Sequence, residues 1–200
     1  MFCFYVSNIA KRKYLYYIFV KRIKKDVCIM KIQSINALSF QALPHKYAEV
    51  NQYLSRSAQP LPEDLASIKE EGVTDIVNLR TMTDKSCLFD EGAEAEKLGM
   101  KYHNIAINHR NPTEKNVTDF LEIMCDAEKN NKKVLVHCLE GKDRTGLCVY
   151  IYKCLRGIGS VAQNKAEWIK FGHDFVRYPN MMGWAEGLLQ KFKANKMFIK

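Results

Sequence analysis

Residues 133–157, "KVLVHCLEGKDRTGLCVYIYKCLRG", constrain the fold more than any other stretch of this sequence. An apolar run at 133–138 leads into a polar loop that contains Gly141, and an apolar segment follows at 146–157. The short run predicts a buried strand, and the segment, which is hydrophobic nearly all round, predicts a central helix. A buried strand that leads into a buried helix is typical of an open α/β sheet.

The sequence from residue 50 onward alternates in the same way between strand and helix patterns. Strands are predicted at 53–58, 73–79, 100–107 and 133–138. Helices are predicted at 61–72, 90–99, 113–130 and 146–157, and two more near 160–171 and 180–195. This alternation predicts an α/β domain over residues 50–195, with a mostly parallel central sheet flanked by helices.

A basic segment precedes this domain. Residues 1–28 hold seven lysines and arginines against one aspartate, so six of the nine net positive charges lie there and not on the folded body. No nucleic-acid partner is therefore expected. The apolar run at 14–20 is far shorter than the roughly 20 residues that span a bilayer, so no stable membrane insertion is expected. We interpret residues 1–29 as a disordered or mis-assigned extension, because the stretch from Met30 resembles a natural amino terminus.

The seven cysteines are odd in number and form no Cys-x-x-Cys pair. Several lie in apolar runs, as Cys148 and Cys154 do, which is the usage of a reduced protein and not of a disulfide framework. The sequence therefore predicts a cytoplasmic protein with buried thiols. Neither a metal nor another cofactor is expected, and we expect a monomer.

The loop after the strand at 133–138 lies where open α/β sheets bind ligands, at the carboxyl end of a strand. Backbone N–H groups and the positive end of the following helix converge there. Gly141 and Gly146 let the backbone curl without side-chain clashes. This arrangement predicts an anion cradle of phosphate size, which Arg144 can close with a planar two-pronged fork.

Cys138 lies at the floor of this cradle, where the positive field favours the thiolate, the species that attacks. We therefore predict in-line attack on phosphorus, which forms a cysteinyl-phosphate that water then hydrolyses. Thr145 is expected to hydrogen-bond the sulfur as it leaves, and His137 to orient the loop. The residues predicted to bind the phosphate beside Arg144 are Leu139, Glu140, Gly141, Lys142, Thr145 and Gly146.

The pattern His-Cys-x5-Arg-Thr-Gly at 137–146 resembles the signature of the cysteine-dependent protein tyrosine and dual-specificity phosphatases. The resemblance implies the cysteine-phosphatase fold and the hydrolysis of phosphomonoesters, with Cys138 as nucleophile and Arg144 as phosphate ligand. Rhodanese-like domains also carry a cysteine loop after a strand, but Gly141 and the Arg-Thr-Gly run favour the phosphatases.

The likeness extends from about Tyr53 to Phe171. The opening stretch, "YLSRSAQPLPEDLASIKEEGVTDIVNLR", resembles that of the compact, atypical dual-specificity phosphatases of bacteria, fungi and plants. Those share an Arg-Ser-x-Gln-Pro turn and a strand that ends in Asn-Leu-Arg. The resemblance makes Arg56, Gln59 and Arg80 candidates for the wall of the pocket, and surface or capping roles for them remain open.

The general acid of the family is missing from its usual place. Most dual-specificity phosphatases have an aspartate on the loop after the strand at 100–107, and that loop here reads "NHRNPTEKN". Asp143 is the first candidate, because "GKDRTG" is similar to the loop of bacterial tyrosine and lipid phosphatases and to the aspartate placing of myotubularin-like ones. His109 is the second candidate and Glu114 the third. A salt bridge to a basic neighbour is the alternative role of Asp143.

Two substrate classes remain open from the sequence. A basic rim would suit an inositol phosphate or a phosphoinositide. The candidate residues for such a rim are Lys142, Arg110, His109 and Lys115. Glu140 argues against this rim, and the basic side chains are equally compatible with an ordinary solvated surface. Phosphotyrosine or another phosphoprotein is therefore the other expected substrate.

A different class of function would use the same thiol. A reactive Cys138 is prone to peroxide oxidation, so a thiol-based redox or rhodanese-like protein is the alternative. Cys87 is the candidate partner thiol for that chemistry.

Overall fold

The computed structural model describes residues 43–81 and 89–198, so the extension predicted at 1–29 and Cys87 lie outside the described residues. Within the described part, the strands are β1 (Ala48–Asn51), β2 (Leu54–Ser57), β3 (Asp75–Asn78), β4 (Lys101–Asn104) and β5 (Val134–His137). The helices are α1 (Asp64–Glu70), α2 (Glu91–Lys97), α3 (Glu114–Lys129), α4 (Asp143–Leu155), α5 (Val161–Lys170) and α6 (Met181–Ala194).

The strands form one sheet in the order β1-β2-β5-β3-β4. β2, β5, β3 and β4 are parallel to their neighbours, and β1 pairs antiparallel with β2 at one edge. The prediction of a mostly parallel central sheet flanked by helices is confirmed. In the register of the three central strands, Ser57, His137 and Asn78 lie side by side. The carboxyl ends of β2, β5 and β3 therefore meet at one place.

Two hydrophobic clusters cover the two faces of the sheet, because successive side chains of a strand point to opposite faces. Val134 and Val136 pack with apolar residues of α3, α4 and α6 in the larger cluster. Leu135 packs with apolar residues of α1 and α2 in the smaller one, which includes Leu65 and Ala95. α4 lies within the larger cluster with most of its side chains buried, as its apolar sequence predicts.

Two elements differ from the sequence-based expectation. β1 was not predicted, because the alternation of "AEVN" spans only four residues and the strand is stabilised by its pairing with β2. α4 begins at Asp143 and not at Gly146, so Asp143 and Arg144 belong to the first turn of the helix. This places both side chains beside the backbone N–H groups that open the helix.

Among the described residues, no helix has the length and apolar character that crossing a bilayer requires.

Candidate active site

The residues 138–142, called here the catalytic loop, connect β5 to α4 at the carboxyl ends of the central strands. Cys138 directly follows β5, and only 3% of its surface is exposed. Lys142 is the N-cap residue of α4 and makes no side-chain capping hydrogen bond. The first backbone N–H groups of this 13-residue helix are thus left without a side-chain cap, which suits an incoming anion.

Gly141 has a backbone conformation that only glycine adopts easily, with φ at +67°. A Cβ atom at this position would lie 2.7 Å from the carbonyl oxygen of Ser57 and 2.8 Å from the nitrogen of Ala58. The catalytic loop therefore curls against the end of β2 with no room for a side chain.

Arg56 on β2 stabilises this conformation of the catalytic loop. Its Nη2 donates a 2.7 Å hydrogen bond to the carbonyl oxygen of Gly141, and its guanidinium lies 3.6 Å from the centre of the Phe171 ring. Burial lowers the pKa of Arg56 to about 10, and Glu167 opposes that shift. The side chain therefore stays charged at neutral pH. The sequence made Arg56 a candidate for the pocket wall. In the structure its side chain is buried and contacts the backbone of the catalytic loop.

Arg144, in the first turn of α4, has a buried side chain. Its Nη1 lies 3.3 Å from the carbonyl oxygen of Leu79 and 3.5 Å from that of Ile107. These carbonyl groups follow β3 and β4, so the guanidinium is held at the same end of the sheet as Cys138. The structure thus brings together the predicted nucleophile loop and the predicted phosphate fork.

Gly146, also in the first turn of α4, faces the buried ring of Trp168 on α5. A Cβ atom on Gly146 would lie 2.1 Å from two atoms of that ring. We expect Gly146→Ala to lower the free energy of unfolding by about 3 kcal/mol, because Trp168 must be displaced. Urea unfolding measures this, with Gly187→Ala as the matched control. Gly187 lies in α6 with open space around it, so that alanine should be neutral or stabilise by up to about 1 kcal/mol. Equal effects at the two positions would contradict the tight contact.

His137 supports the loop from inside the protein. Its side chain is fully buried, with Nδ1 3.3 Å from the carbonyl oxygen of Cys138 and Nε2 3.2 Å from Glu91 Oε1. Glu91 is itself buried and accepts hydrogen bonds from Gln59 at 2.9 Å and Asn78 at 2.8 Å. Arg80 joins this network by donating a 2.6 Å hydrogen bond to Gln59. Sequence reasoning missed Glu91, because nothing in its surroundings links it to a histidine 46 positions later.

Thr145 and Leu139 complete the surroundings of the thiol. Thr145 is fully buried, and its hydroxyl has no hydrogen-bond partner among the described residues, so the predicted bond to the Cys138 sulfur is not formed in this structure. The Leu139 side chain is 40% exposed, and its carbonyl oxygen accepts a 3.1 Å hydrogen bond from the Gln59 backbone. The buried hydroxyl of Thr145 is therefore available to donate or accept a hydrogen bond.

Asp143 has its partners in the segment after α5. Its Oδ1 accepts hydrogen bonds from His173 Nδ1 at 2.6 Å and from the backbone N–H of Asp174 at 2.9 Å. Burial alone would raise the pKa of Asp143, but these hydrogen bonds outweigh it and the pKa is lowered. The basic neighbour considered for Asp143 thus exists, and it is His173. Sequence reasoning missed His173, which lies 30 positions after Asp143.

The other candidates for general acid occupy different surroundings. The ring of His109 lies 5.4 Å from that of Tyr178, on the loop after β4. Glu114, in the first turn of α3, forms a 2.6 Å ion pair with Lys191 of α6. Glu114 is therefore already engaged in a contact between two helices.

The predicted basic rim is only partly assembled. Lys142 pairs with Glu140 within the catalytic loop. Lys115 is 81% exposed and forms an ion pair with Asp119 at 2.7 Å, in a separate cavity that also includes Asp75. His109 and Arg110 line a cavity beside the segment after α5.

Known proteins are similar to this chain in sequence and in fold. A sequence profile of the family described as "Polymorphic toxin system, DSP-PTPase phosphatase" matches residues 51–158. Inositol diphosphatase DSP2 of Oryza sativa subsp. japonica is 29% identical over 129 residues, which cover 61% of this chain and 58% of the relative. The chain thus spans less than two thirds of the length of that curated relative.

Solved structures share the fold. A DUF442 protein from Shewanella putrefaciens CN-32 is 25% identical with a TM-score of 0.62, over 84% of this chain and 98% of the other. The core catalytic domain of the PP-IP phosphatase SIW14 from S. cerevisiae is 20% identical with a TM-score of 0.61, over 78% and 95%. P. aeruginosa TpbA in complex with pTyr is 19% identical with a TM-score of 0.59, over 74% and 90%.

The family profile covers more than half of the chain, including the whole catalytic loop and its supporting strands. The match includes Cys138 and Arg144, which lie at the carboxyl ends of the central strands. The chain therefore belongs to this DSP-PTPase phosphatase family, within the cysteine-dependent tyrosine and dual-specificity phosphatases.

Proposed function

We propose that this protein removes a phosphate from a small, multiply phosphorylated molecule of the inositol phosphate class. The reaction runs through a cysteinyl-phosphate on Cys138. The observation that carries the choice of substrate is a basic cavity whose walls adjoin segments that are hydrogen-bonded to Asp143 and Arg144. The 29% identity to an inositol diphosphatase supports the same class.

This cavity, called here the basic cavity, has a volume of about 290 Å³. It is lined by two segments, 109–112 and 177–181, and by Trp184. The lining contains Arg110, Arg177 and His109 and no carboxylate side chain among the described residues. A site with two arginines and no acid in its wall attracts an anion, and arginine binds phosphate in a two-pronged fashion.

The basic cavity is joined to the catalytic centre by hydrogen bonds of its two walls. The first wall begins just after Ile107, whose carbonyl oxygen lies 3.5 Å from Arg144 Nη1. The second wall is anchored by Asp174, which donates to Asp143 and accepts a 2.9 Å hydrogen bond from the Tyr178 backbone. Burial, with Asp143 nearby, raises the pKa of Tyr178. A substrate whose reacting phosphate lies on Arg144 can therefore place a second phosphate in the cavity.

The remaining basic side chains do not distinguish between substrates. The charge of Lys142 is balanced by Glu140, and that of Lys115 by Asp119. A phosphotyrosine peptide, the other substrate class expected from the sequence, presents one phosphate and does not require a second anion site. The basic cavity is thus the feature that favours the inositol phosphates.

The chemistry proposed for the catalytic loop has two steps. The Cys138 thiolate attacks phosphorus, so the S–P bond forms and the bond from phosphorus to the leaving oxygen breaks. Arg144 and the N–H groups of the loop hold the phosphoryl oxygens. Asp143, whose lowered pKa leaves only a minor fraction of the enzyme protonated at neutral pH, gives its proton to the leaving oxygen from that fraction. In the second step water attacks phosphorus, the S–P bond breaks, and Asp143 takes the proton of the water. The Thr145 hydroxyl hydrogen-bonds the departing sulfur.

Asp143 is the proposed acid because of where it lies. It occupies the first turn of α4, next to Arg144 and at the edge of the catalytic loop. Glu114 is paired with Lys191, and His109 lies in the wall of the basic cavity. His109 is therefore assigned to substrate binding.

The substrate assignment is tested with the double variant Arg110→Gln/Arg177→Gln. We expect kcat/KM for an inositol polyphosphate to fall about 100-fold, because a hydrogen bond to a charged group is worth about 1.5–3 kcal/mol and 1.4 kcal/mol is tenfold. The rate with para-nitrophenyl phosphate, which has one phosphate, should stay within about twofold. Lys115→Gln is the matched control, since it removes an exposed cation from a separate cavity.

Equal losses on the two substrates would remove the basic cavity from substrate selection. Faster hydrolysis of a phosphotyrosine peptide than of any inositol polyphosphate by the unsubstituted protein would assign the chain to phosphoproteins.

A further inference from the structure

His173 lies on the segment after α5, and its side chain is fully buried. The ring is flanked by Trp168 at 4.8 Å and by Phe175 at 4.7 Å between centroids. Trp168 in turn packs closely on Gly146 in the first turn of α4. The imidazole is therefore fixed in an aromatic pocket directly beside the helix that begins the active site.

The two ring nitrogens of His173 differ in their hydrogen bonding. Nδ1 lies 2.6 Å from Asp143 Oδ1, whereas Nε2 is buried and has no hydrogen-bond partner among the described residues. Leaving a buried polar atom unpaired costs free energy, of the order of 1–3 kcal/mol. A phenylalanine or a leucine would fill the same pocket without that cost. The contact between Nδ1 and Asp143 is thus the feature that a histidine adds at this position.

We propose that His173 is a positioning residue for proton transfer in the active site. Its Nδ1–H fixes the Asp143 carboxyl group at the edge of the catalytic loop and stabilises the carboxylate that remains after Asp143 has protonated the leaving oxygen. This inference rests on the proposed role of Asp143 as general acid.

The other titratable groups near Asp143 are Lys142 on the catalytic loop and Asp174 and Tyr178 on the segment after α5. The buried Arg144 is adjacent in α4. Lys142 is balanced by Glu140, so the hydrogen bond from His173 is the main contact that favours the Asp143 carboxylate.

We expect the hydrogen bond between His173 and Asp143 to affect the pH dependence of the rate. Asp143 must hold its proton to act as an acid, so the rate for a poor leaving group falls as pH rises through the pKa of Asp143. A hydrogen bond to the carboxylate lowers that pKa. Removal of the Nδ1–H donor should therefore move the falling limb of the pH–rate profile to higher pH.

The test compares His173→Phe, which keeps a ring in the pocket, with His173→Asn, whose amide places an N–H donor near the position of Nδ1. The pH–rate profiles are measured with an alkyl phosphate and with para-nitrophenyl phosphate, whose leaving group needs little protonation. We expect His173→Phe to shift the falling limb upward and to lower kcat for the alkyl phosphate about tenfold at the optimum. The pre-steady-state rate of cysteinyl-phosphate formation from para-nitrophenyl phosphate should change by no more than about twofold, because that step needs little protonation of the leaving group.

The His173→Asn variant should restore part of the alkyl phosphate rate and the position of the limb. Equal losses on both substrates, with an unshifted limb and a lower melting temperature, would overturn the proposal and leave His173 as a packing residue. Asp143→Asn separates this failure from that of the mechanism. If Asp143→Asn leaves the alkyl phosphate rate unchanged, Asp143 is not the acid, and the role proposed for His173 is overturned with it.

Discussion

Cys138→Ser is expected to abolish turnover of every phosphomonoester, with a loss of at least about 10⁴-fold in kcat. The serine hydroxyl is far less acidic than a thiol, so the attacking anion and with it the covalent intermediate should not form. The fold should be unaffected, because the side chain is buried at 3% exposure and the substitution exchanges one atom. Steady-state kinetics with para-nitrophenyl phosphate measures the loss, and titration calorimetry with inorganic phosphate shows whether the cradle still binds.

Cys125→Ser is the matched control for this variant. Cys125 lies on α3, outside the catalytic loop, and its sulfur accepts a 3.3 Å hydrogen bond from Arg156, so its replacement should leave kcat unchanged. Residual hydrolysis by Cys138→Ser above about 1% would contradict the cysteinyl-phosphate mechanism. A redox function would instead predict that the protein consumes peroxide in a thiol-dependent way and releases no phosphate.

Arg144→Lys is expected to lower kcat/KM by about 10²–10³-fold although the positive charge is kept. The guanidinium is oriented by the carbonyl oxygens of Leu79 and Ile107, so its planar set of N–H donors is held in a fixed direction. We expect these donors to bind two oxygens of the phosphoryl group. A lysine ammonium offers a point charge in place of that fork. The loss should appear equally with para-nitrophenyl phosphate and with an inositol polyphosphate, because both present a phosphoryl group to the same cradle.

Arg156→Lys provides a matched control at the other end of the same helix. Arg156 is buried and forms a 2.7 Å ion pair with Glu128, so this change should cost stability without a change in kcat. Near-normal kinetics of Arg144→Lys would show that Arg144 does not bind the equatorial phosphate oxygens. A drop in melting temperature as large as that of Arg156→Lys, with normal kinetics per folded molecule, would assign Arg144 a structural role.

The fold and the core of the site could be predicted because their determinants are local. β5, the catalytic loop and α4 are consecutive, so Cys138, Gly141 and Arg144 are brought together by strand-loop-helix geometry alone. The start of α4 was placed three residues late because the loop offers no capping signal, and Lys142 makes no side-chain cap. β1 was missed because the pattern of a four-residue edge strand is too short to identify it, and the strand is specified mainly by its pairing with β2.

The supporting contacts could not be predicted because they join distant parts of the chain. Arg56 reaches the carbonyl oxygen of Gly141 across 85 positions, and only the parallel pairing of β2 with β5 makes that contact possible. The same holds for Glu91 and His137, whose meeting depends on α2 packing over the end of β5. The direction of Asp143 toward His173 depends on how α5 ends, which no local pattern specifies.

The segment from His173 to Tyr178 contacts two functional groups at once, since it holds the Asp143 carboxyl group and contributes a wall of the basic cavity. With the roles proposed for Asp143 and for the basic cavity, we therefore expect proton binding and anion binding to be thermodynamically linked. An anion between Arg110 and Arg177 disfavours the nearby carboxylate, so it raises the affinity of Asp143 for its proton. By reciprocity, the protonated enzyme binds that anion more tightly by the same factor. A substrate with a second phosphate thus increases the fraction of enzyme in which Asp143 is ready to donate its proton.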